Sequence, residues 1–207
     1  MRAQSDILNG KAEGRIDGRR ARGERTRLRV LESLLELVDS GELRPTAQQI
    51  AEHAGVALRT VYHHFVDVEA LRNTALSLQV RRHERVFEPV DTSLPTDERA
   101  RLVARQCRRL FEAITPIRRA ALLDESTHES LPPELQETMR ARREQLMRVF
   151  GPELARRGSL QKDLLDAADA GTSWLAWYFL RFELGRSAAA SERVFTTTLV
   201  ELFRRSR

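Results

Sequence analysis

Residues 46–65 read TAQQIAEHAGVALRTVYHHF, and this stretch decides the fold. Thr46, with Gln49 three residues on, forms a capping-box signature ahead of Ile50 and Ala51, so a helix starts there. Two helices cross at a steep angle when a small side chain lies at the crossing and the turn accepts a positive φ. Ala51 and Gly55, four residues apart, meet both needs. Ile50, Val56 and Val61 then face inward, which leaves Arg59, Thr60, Tyr62 and His63 on the outer side of a second short helix over about 57–64. The spacing predicts a helix-turn-helix. His63 and His64 are neighbours on a helix and point in different directions, so no shared metal is expected.

Working outward, the upstream stretch RTRLRVLESLLELVDSG places Leu28, Leu31, Leu34, Leu35 and Val38 at helical spacing, with Gly41 where a left-handed cap belongs. Pro45 discourages continuation. Residues 1–23 carry glycine, charge and few large apolar side chains and predict a flexible basic tail, with Arg19, Arg20 and Arg22 as a DNA-contacting arm or a solubilising segment. Downstream, Asp67 offers the cap of a long helix reaching about Phe87, and Pro89 and Pro95 bracket a loop. Further helices are expected at 96–114, 117–128, 133–156, 161–184 and 188–204, bounded by Pro116, Pro132, Pro133, Gly158 and Gly185. The expected fold class is all-α with about nine helices: residues 24–66 as a helix-turn-helix domain and 67–207 as a helical bundle. No alternating strand pattern and no internal repeat competes.

The 207 residues are 41% hydrophobic and 31% charged, a globular balance. The longest apolar run, Trp174 to Leu180, is far short of the roughly 20 residues that span a bilayer. No membrane association is expected, and the amino terminus does not read as a secretory signal, which points to the cytoplasm. The net charge of +5 rests almost wholly on arginine, since Lys11 and Lys162 are the only lysines. The guanidinium fork suits phosphate. Cys107 is the lone cysteine and reads as a small core residue, a redox sensor needing an exposed, acidified thiol. A glycine-rich phosphate loop, a nucleophile elbow and a Cys/His pairing are all missing, so neither enzymatic activity nor a cofactor or metal is expected. Asp124, Glu125, Glu129 and Glu134 read as a solvated face and loop.

Residues 29–71 resemble the amino-terminal domain of the TetR family of bacterial transcriptional regulators. The resemblance is carried by the apolar first helix ending in Gly41, then Thr46, Ile50-Ala51, Ala54-Gly55-Val56, Thr60-Val61-Tyr62, Phe65 and Leu71. It implies that the helix holding Arg59 enters the major groove of an operator. Arg59 and Thr60 would face bases, arginine being the commonest reader of guanine and the threonine methyl a match for thymine. Thr46 would hold a phosphate, with Tyr62 and His63 on the DNA backbone. Two positions depart from the family pattern. Ala57 stands where a Ser or Thr usually caps the recognition helix, at a cost on the order of 1 kcal/mol. Val68 replaces a frequent lysine, so that phosphate contact is missing, and the arginine-rich tail would take over part of it.

The same resemblance implies a homodimer, nucleoid-associated when bound to DNA, because two recognition helices about 34 Å apart meet both half-sites on one face of the duplex. Leu164, Ala168, Gly171, Leu175 and Phe179, with Phe195, Leu199 and Leu202, are the candidate dimer residues, intrachain core being the rival reading. Phe87, Cys107, Phe111, Met139, Trp174, Trp177 and Tyr178 are candidates for lining an effector pocket, each also readable as core. A small molecule bound there would shift the fourth helix and release the operator, which makes the protein a repressor. The alternative is a helical protein-interaction module that uses the same fold without DNA.

Overall fold

The computed structural model describes residues 3–83, 85–122 and 132–204. Asp124, Glu125 and Glu129, and the expected helix beyond residue 122, lie outside the described residues. Among those described there is no strand, and ten α-helices run in order: α1 (Ala3–Asp39), α2 (Ala47–His53), α3 (Leu58–His64), α4 (Val68–Arg82), α5 (Thr96–Leu122), α6 (Pro133–Val149), α7 (Gly151–Ala155), α8 (Gln161–Gly171), α9 (Trp174–Tyr178) and α10 (Ala188–Phe203). No helix among the described residues is long and apolar enough to cross a membrane.

The chain divides into two compact units, 3–75 with 119–122 and 76–118 with 132–204. The division falls inside α4. In the first unit α1 packs on α2 and α3. Its apolar stripe, Val30, Leu31, Leu34, Leu35 and Val38, is buried with Ile50, Ala51, Val61, Phe65 and Leu71. Leu28 is exposed and belongs to no core. At the end of α1, Glu42 N–H donates to the Leu37 carbonyl (3.0 Å) and Gly41 N–H to the Val38 carbonyl (3.2 Å), with Gly41 at φ 102°. These bonds satisfy carbonyls that the helix leaves open. Residues 3–23, expected as a tail, are part of α1. No proline precedes Pro45, and Ala, Arg, Glu and Leu favour a helix, outweighing isolated glycines that cost about 1 kcal/mol each.

In the second unit, α5, α6 and α8–α10 enclose a core of Val103, Cys107, Phe111, Ile114, Leu146, Phe150, Trp177, Phe195 and Phe203. Four sequence expectations are corrected here. Pro116 does not end a helix: α5 runs through it, because Ile114, Ile117 and Ala120 continue the buried stripe on both sides and outweigh the lost backbone bond. The 133–156 helix is split at Phe150, whose ring turns in to stack on Phe203 at 4.3 Å. The 161–184 helix is split at Thr172, after which Ser173 caps α9 and the chain continues as a π-turn over Phe179–Glu183. Helix α4 ends at Arg82 rather than Phe87.

The buried guanidinium groups of Arg99 and Arg142 are paired with carboxylates. The Arg99 guanidinium grips the Glu153 carboxylate with two N–H groups, reaches the Val149 carbonyl, and donates to the Leu94 carbonyl (2.9 Å) and to Thr96 Oγ1 (3.1 Å). Burial works to raise the Glu153 carboxyl, but the Arg99 guanidinium, a backbone N–H and Thr96 outweigh it and hold the group below its ordinary 4.5. A carboxyl depressed on folding stabilises the fold above its unfolded value and loses that contribution as the pH falls through the folded one. Glu153→Gln is therefore expected to destabilise the protein by roughly 3–5 kcal/mol in denaturant titration at neutral pH. The gap between wild type and variant should narrow as the pH is lowered below about 4.5; a constant gap would contradict the assignment.

Candidate nucleic-acid interface

Helix α2 starts as its sequence requires. Gln49 N–H donates to Thr46 Oγ1 (3.2 Å), and Gln49 Oε1 accepts from the Thr46 backbone N–H (2.8 Å) and hydroxyl (2.9 Å). The hydroxyl expected to hold a phosphate is thus engaged in the cap, and would have to exchange or share that partner. Glu36 Oε2 lies 2.8 Å from His53 Nε2 and ties α2 to α1.

The turn that follows repeats the glycine cap of α1. Val56 N–H donates to the Ala51 carbonyl (3.0 Å) and Gly55 N–H to the Glu52 carbonyl (3.1 Å), with Gly55 at φ 62°. A residue with a Cβ adopts that backbone at a cost of roughly 1–2 kcal/mol, which is why glycine stands there. Helix α3 then begins at Ala57 without a side-chain cap. Its single buried residue is Val61; Arg59, Tyr62 and His63 are exposed and Thr60 is half-buried. The four outer-face residues expected from spacing thus share one side of α3, and no carboxylate occurs from Ala54 to Val66 to oppose a phosphate.

The two histidines separate. His64 is half-buried between His63 (ring centroids 5.3 Å apart) and Phe65 (6.4 Å). Its pKa is lowered by burial, then by His63 and Arg27, against a smaller opposing effect of Glu24. It packs between its neighbours, and His63 is the one facing out. Arg27 stacks over Phe65 at 5.2 Å behind the motif. Asp67 caps α4 by accepting from Ala70 N–H (2.7 Å). Arg20 and Arg22 are exposed on α1, while the side chain of Arg19 lies outside the described residues.

The expected effector residues scatter. Phe111, Met139 and Trp174 line a cleft in the second unit with about 440 Å³ of empty space including its mouth; Leu135, Arg118 and Arg142 line it too. Phe87 belongs to a separate, more polar cleft with Arg81, Glu134 and Arg148. Glu134, expected as a solvated carboxylate, is partly exposed and accepts from Ser77 Oγ and Arg81 Nη1, both at 2.9 Å. Cys107 and Trp177 are core and line neither cleft; Trp177 forms a triangle of rings with Phe111 and Phe195, each pair 6.1–6.2 Å apart. Burial pushes the Cys107 thiol up to about 11, the opposite of an acidified sensor. Tyr178, half-buried, stacks between Trp174 and Phe182.

The expected dimer residues divide as well. Ala168, Phe195 and Leu199 are 0% exposed, so they belong to the core of their own chain and leave no surface for a partner. A methyl group at Gly171 would stand 2.9 Å from Thr198 Cγ2, so this glycine serves the approach of α8 to α10 within the chain. Leu164 and Leu202 are half-buried. Leu175 and Phe179 expose 65% and 52% of their surface, and Phe182 and Leu184 extend the same apolar segment. Arg118 and Arg142 carried no local signal, being two of many arginines on helices.

No protein-family model and no curated protein matches the sequence. Among solved structures, the fold is similar to that of a protein from Mesorhizobium loti described as a TetR-family transcriptional regulator (TM-score 0.58, 16% identity, 87% of this chain and 96% of that one). It is also similar to a transcriptional regulator from Streptomyces coelicolor (0.51, 20%, 87% and 99%) and a Clostridium perfringens fatty acid metabolism regulator (0.51, 16%, 84% and 96%). With its helix-turn-helix and helical bundle, the chain has the fold of a TetR-type transcriptional regulator.

Proposed function

We propose that this protein is a ligand-responsive, DNA-binding transcriptional regulator of the TetR family, acting as a homodimeric repressor. The observation that carries this reading is the exposed face of α3, where Arg59, Tyr62 and His63 stand free of the core on a helix seated by Val61 alone. Such a helix offers a base reader flanked by phosphate donors. Arg59 and Thr60 read bases, and Tyr62, His63 and Thr46 hold the backbone. The similar folds in Mesorhizobium and Streptomyces, both described as transcriptional regulators, support the assignment.

The dimer face in this reading is the outer surface of α9 and the π-turn, with Phe179 and Phe182 at its centre. Exposed large aromatics grouped on one segment mark an interaction site. Leu175 also rims the effector cleft, so Phe179 is the cleaner probe of the dimer. An effector in the second unit lowers DNA affinity by favouring a conformation that cannot meet both half-sites together. Helices α4 and α5 offer the route, since each contributes residues to both units.

Selection of bound fragments from a random DNA library is expected to enrich an inverted repeat. Arg59→Ala should relax the preference at one position of each half-site, worth roughly 1–3 kcal/mol there. No enrichment, or the same enriched sequence with the variant, would overturn the reading. Phe179→Glu is expected to give a monomer by light scattering and to lose the two-half-site footprint in the same sample; a persisting dimer would move the interface elsewhere.

A further inference from the structure

The cleft of the second unit has two arginines in its wall, and the fold treats them differently. Arg142 is buried and its charge is met: Nη1 donates to Thr172 Oγ1 (2.9 Å) and to the Thr172 carbonyl (3.2 Å), and Nη2 to the carboxylate and carbonyl of Asp169. Arg118 is not met in this way. Its guanidinium carbon lies 3.9 Å from the centre of the Trp174 ring, and among the described residues it has neither a carboxylate nor a hydrogen-bond acceptor. Burial moves its pKa down to about 10, so it is still a cation at neutral pH.

A guanidinium carbon this close to the ring centre lies over the ring, and the guanidinium's N–H groups lie in its own plane. Among the described residues nothing accepts from the edge that pairs two-pronged with a carboxylate. Around it the wall is mostly apolar, with Leu110, Phe111, Leu135, Met139 and Leu175 beside the hydroxyls of Thr138 and Ser173. A cation held partly out of water without a counter-ion is costly, and a ligand that brings the negative charge recovers that cost on binding.

We propose that this cleft binds a small hydrophobic carboxylate, its head group paired with the free edge of Arg118 and its apolar part lying among Phe111, Leu135, Met139 and Trp174. The proposal rests on the reading of this unit as the effector-binding half and gives the effector a chemical class. A neutral ligand leaves Arg118 unpaired, and an amine meets its charge head-on.

The test uses the full-length chain without DNA and three probes with the same tail: octanoate, octanamide and octylamine, titrated calorimetrically. Octanoate is expected to bind at least about tenfold more tightly than octanamide, the size of a charge-assisted bidentate pair, with octylamine weakest. Arg118→Gln should bring octanoate down to the level of octanamide and leave octanamide unchanged. Arg118→Lys, which keeps charge but not the fork, should retain part of the preference, and serves alone if the glutamine variant does not fold. Absence of measurable octanoate binding, equal affinity for octanoate and octanamide, or a preference that survives these substitutions undiminished would overturn the proposal. DNA binding measured on the same sample separates the two readings. DNA binding without the carboxylate preference sinks this inference alone; the preference without DNA binding sinks the regulator and leaves the chemistry of the cleft standing.

Discussion

The left-handed backbone at Gly55 is the constraint on which the functional face depends. Two hydrogen bonds, from Val56 to Ala51 and from Gly55 to Glu52, close α2 and turn the chain so that α3 leaves in a new direction. Seven residues are too few for a helix to hold itself in water, so α3 exists because Val61 is seated and its entry angle is set. Once that angle is fixed, helical periodicity alone decides that Arg59, Tyr62 and His63 point away from the core. A residue that preferred right-handed backbone at position 55 would extend α2 or tilt α3, and the same side chains would no longer form one presenting face.

Much of this was legible in the sequence because its signals are local. The cap at Thr46, the cap at Asp67 and the glycines ending α1 and α2 each involve partners within five residues, and the structure contains all of them. The second unit was less legible, because its outcomes are set by distant neighbours. Pro116 breaks isolated helices, yet here buried residues on both sides carry α5 through it. Periodicity marked Ala168, Phe195 and Leu199 as apolar alongside Leu175 and Phe179, but which are covered by their own chain depends on how α8 to α10 pack. Nothing near Arg118 or Arg142 in the sequence says that, among the described residues, Arg142 meets an aspartate and Arg118 a tryptophan ring.

That contrast gives the second unit its chemical character. Arg99 and Arg142 are tied to Glu153 and Asp169 and read as parts of the scaffold, whereas Arg118, which lines a cleft, meets no carboxylate among the described residues. The residue stands at the point in α5 where membership passes from one unit to the other, since 96–118 belong to the second and 119–122 to the first. Reciprocity would make any effect of a ligand on DNA affinity equal to the effect of DNA on ligand affinity.

On the proposed function, the outer face of α3 meets DNA through phosphate neutralisation as well as base contacts. Fluorescence anisotropy of the full-length chain on a selected duplex, titrated across a series of salt concentrations, tests it most directly. Binding is expected to be saturable and to weaken steeply and linearly on logarithmic axes, by on the order of a thousandfold between about 50 and 200 mM salt. Binding that is insensitive to salt, or no binding at the lowest salt, would contradict it.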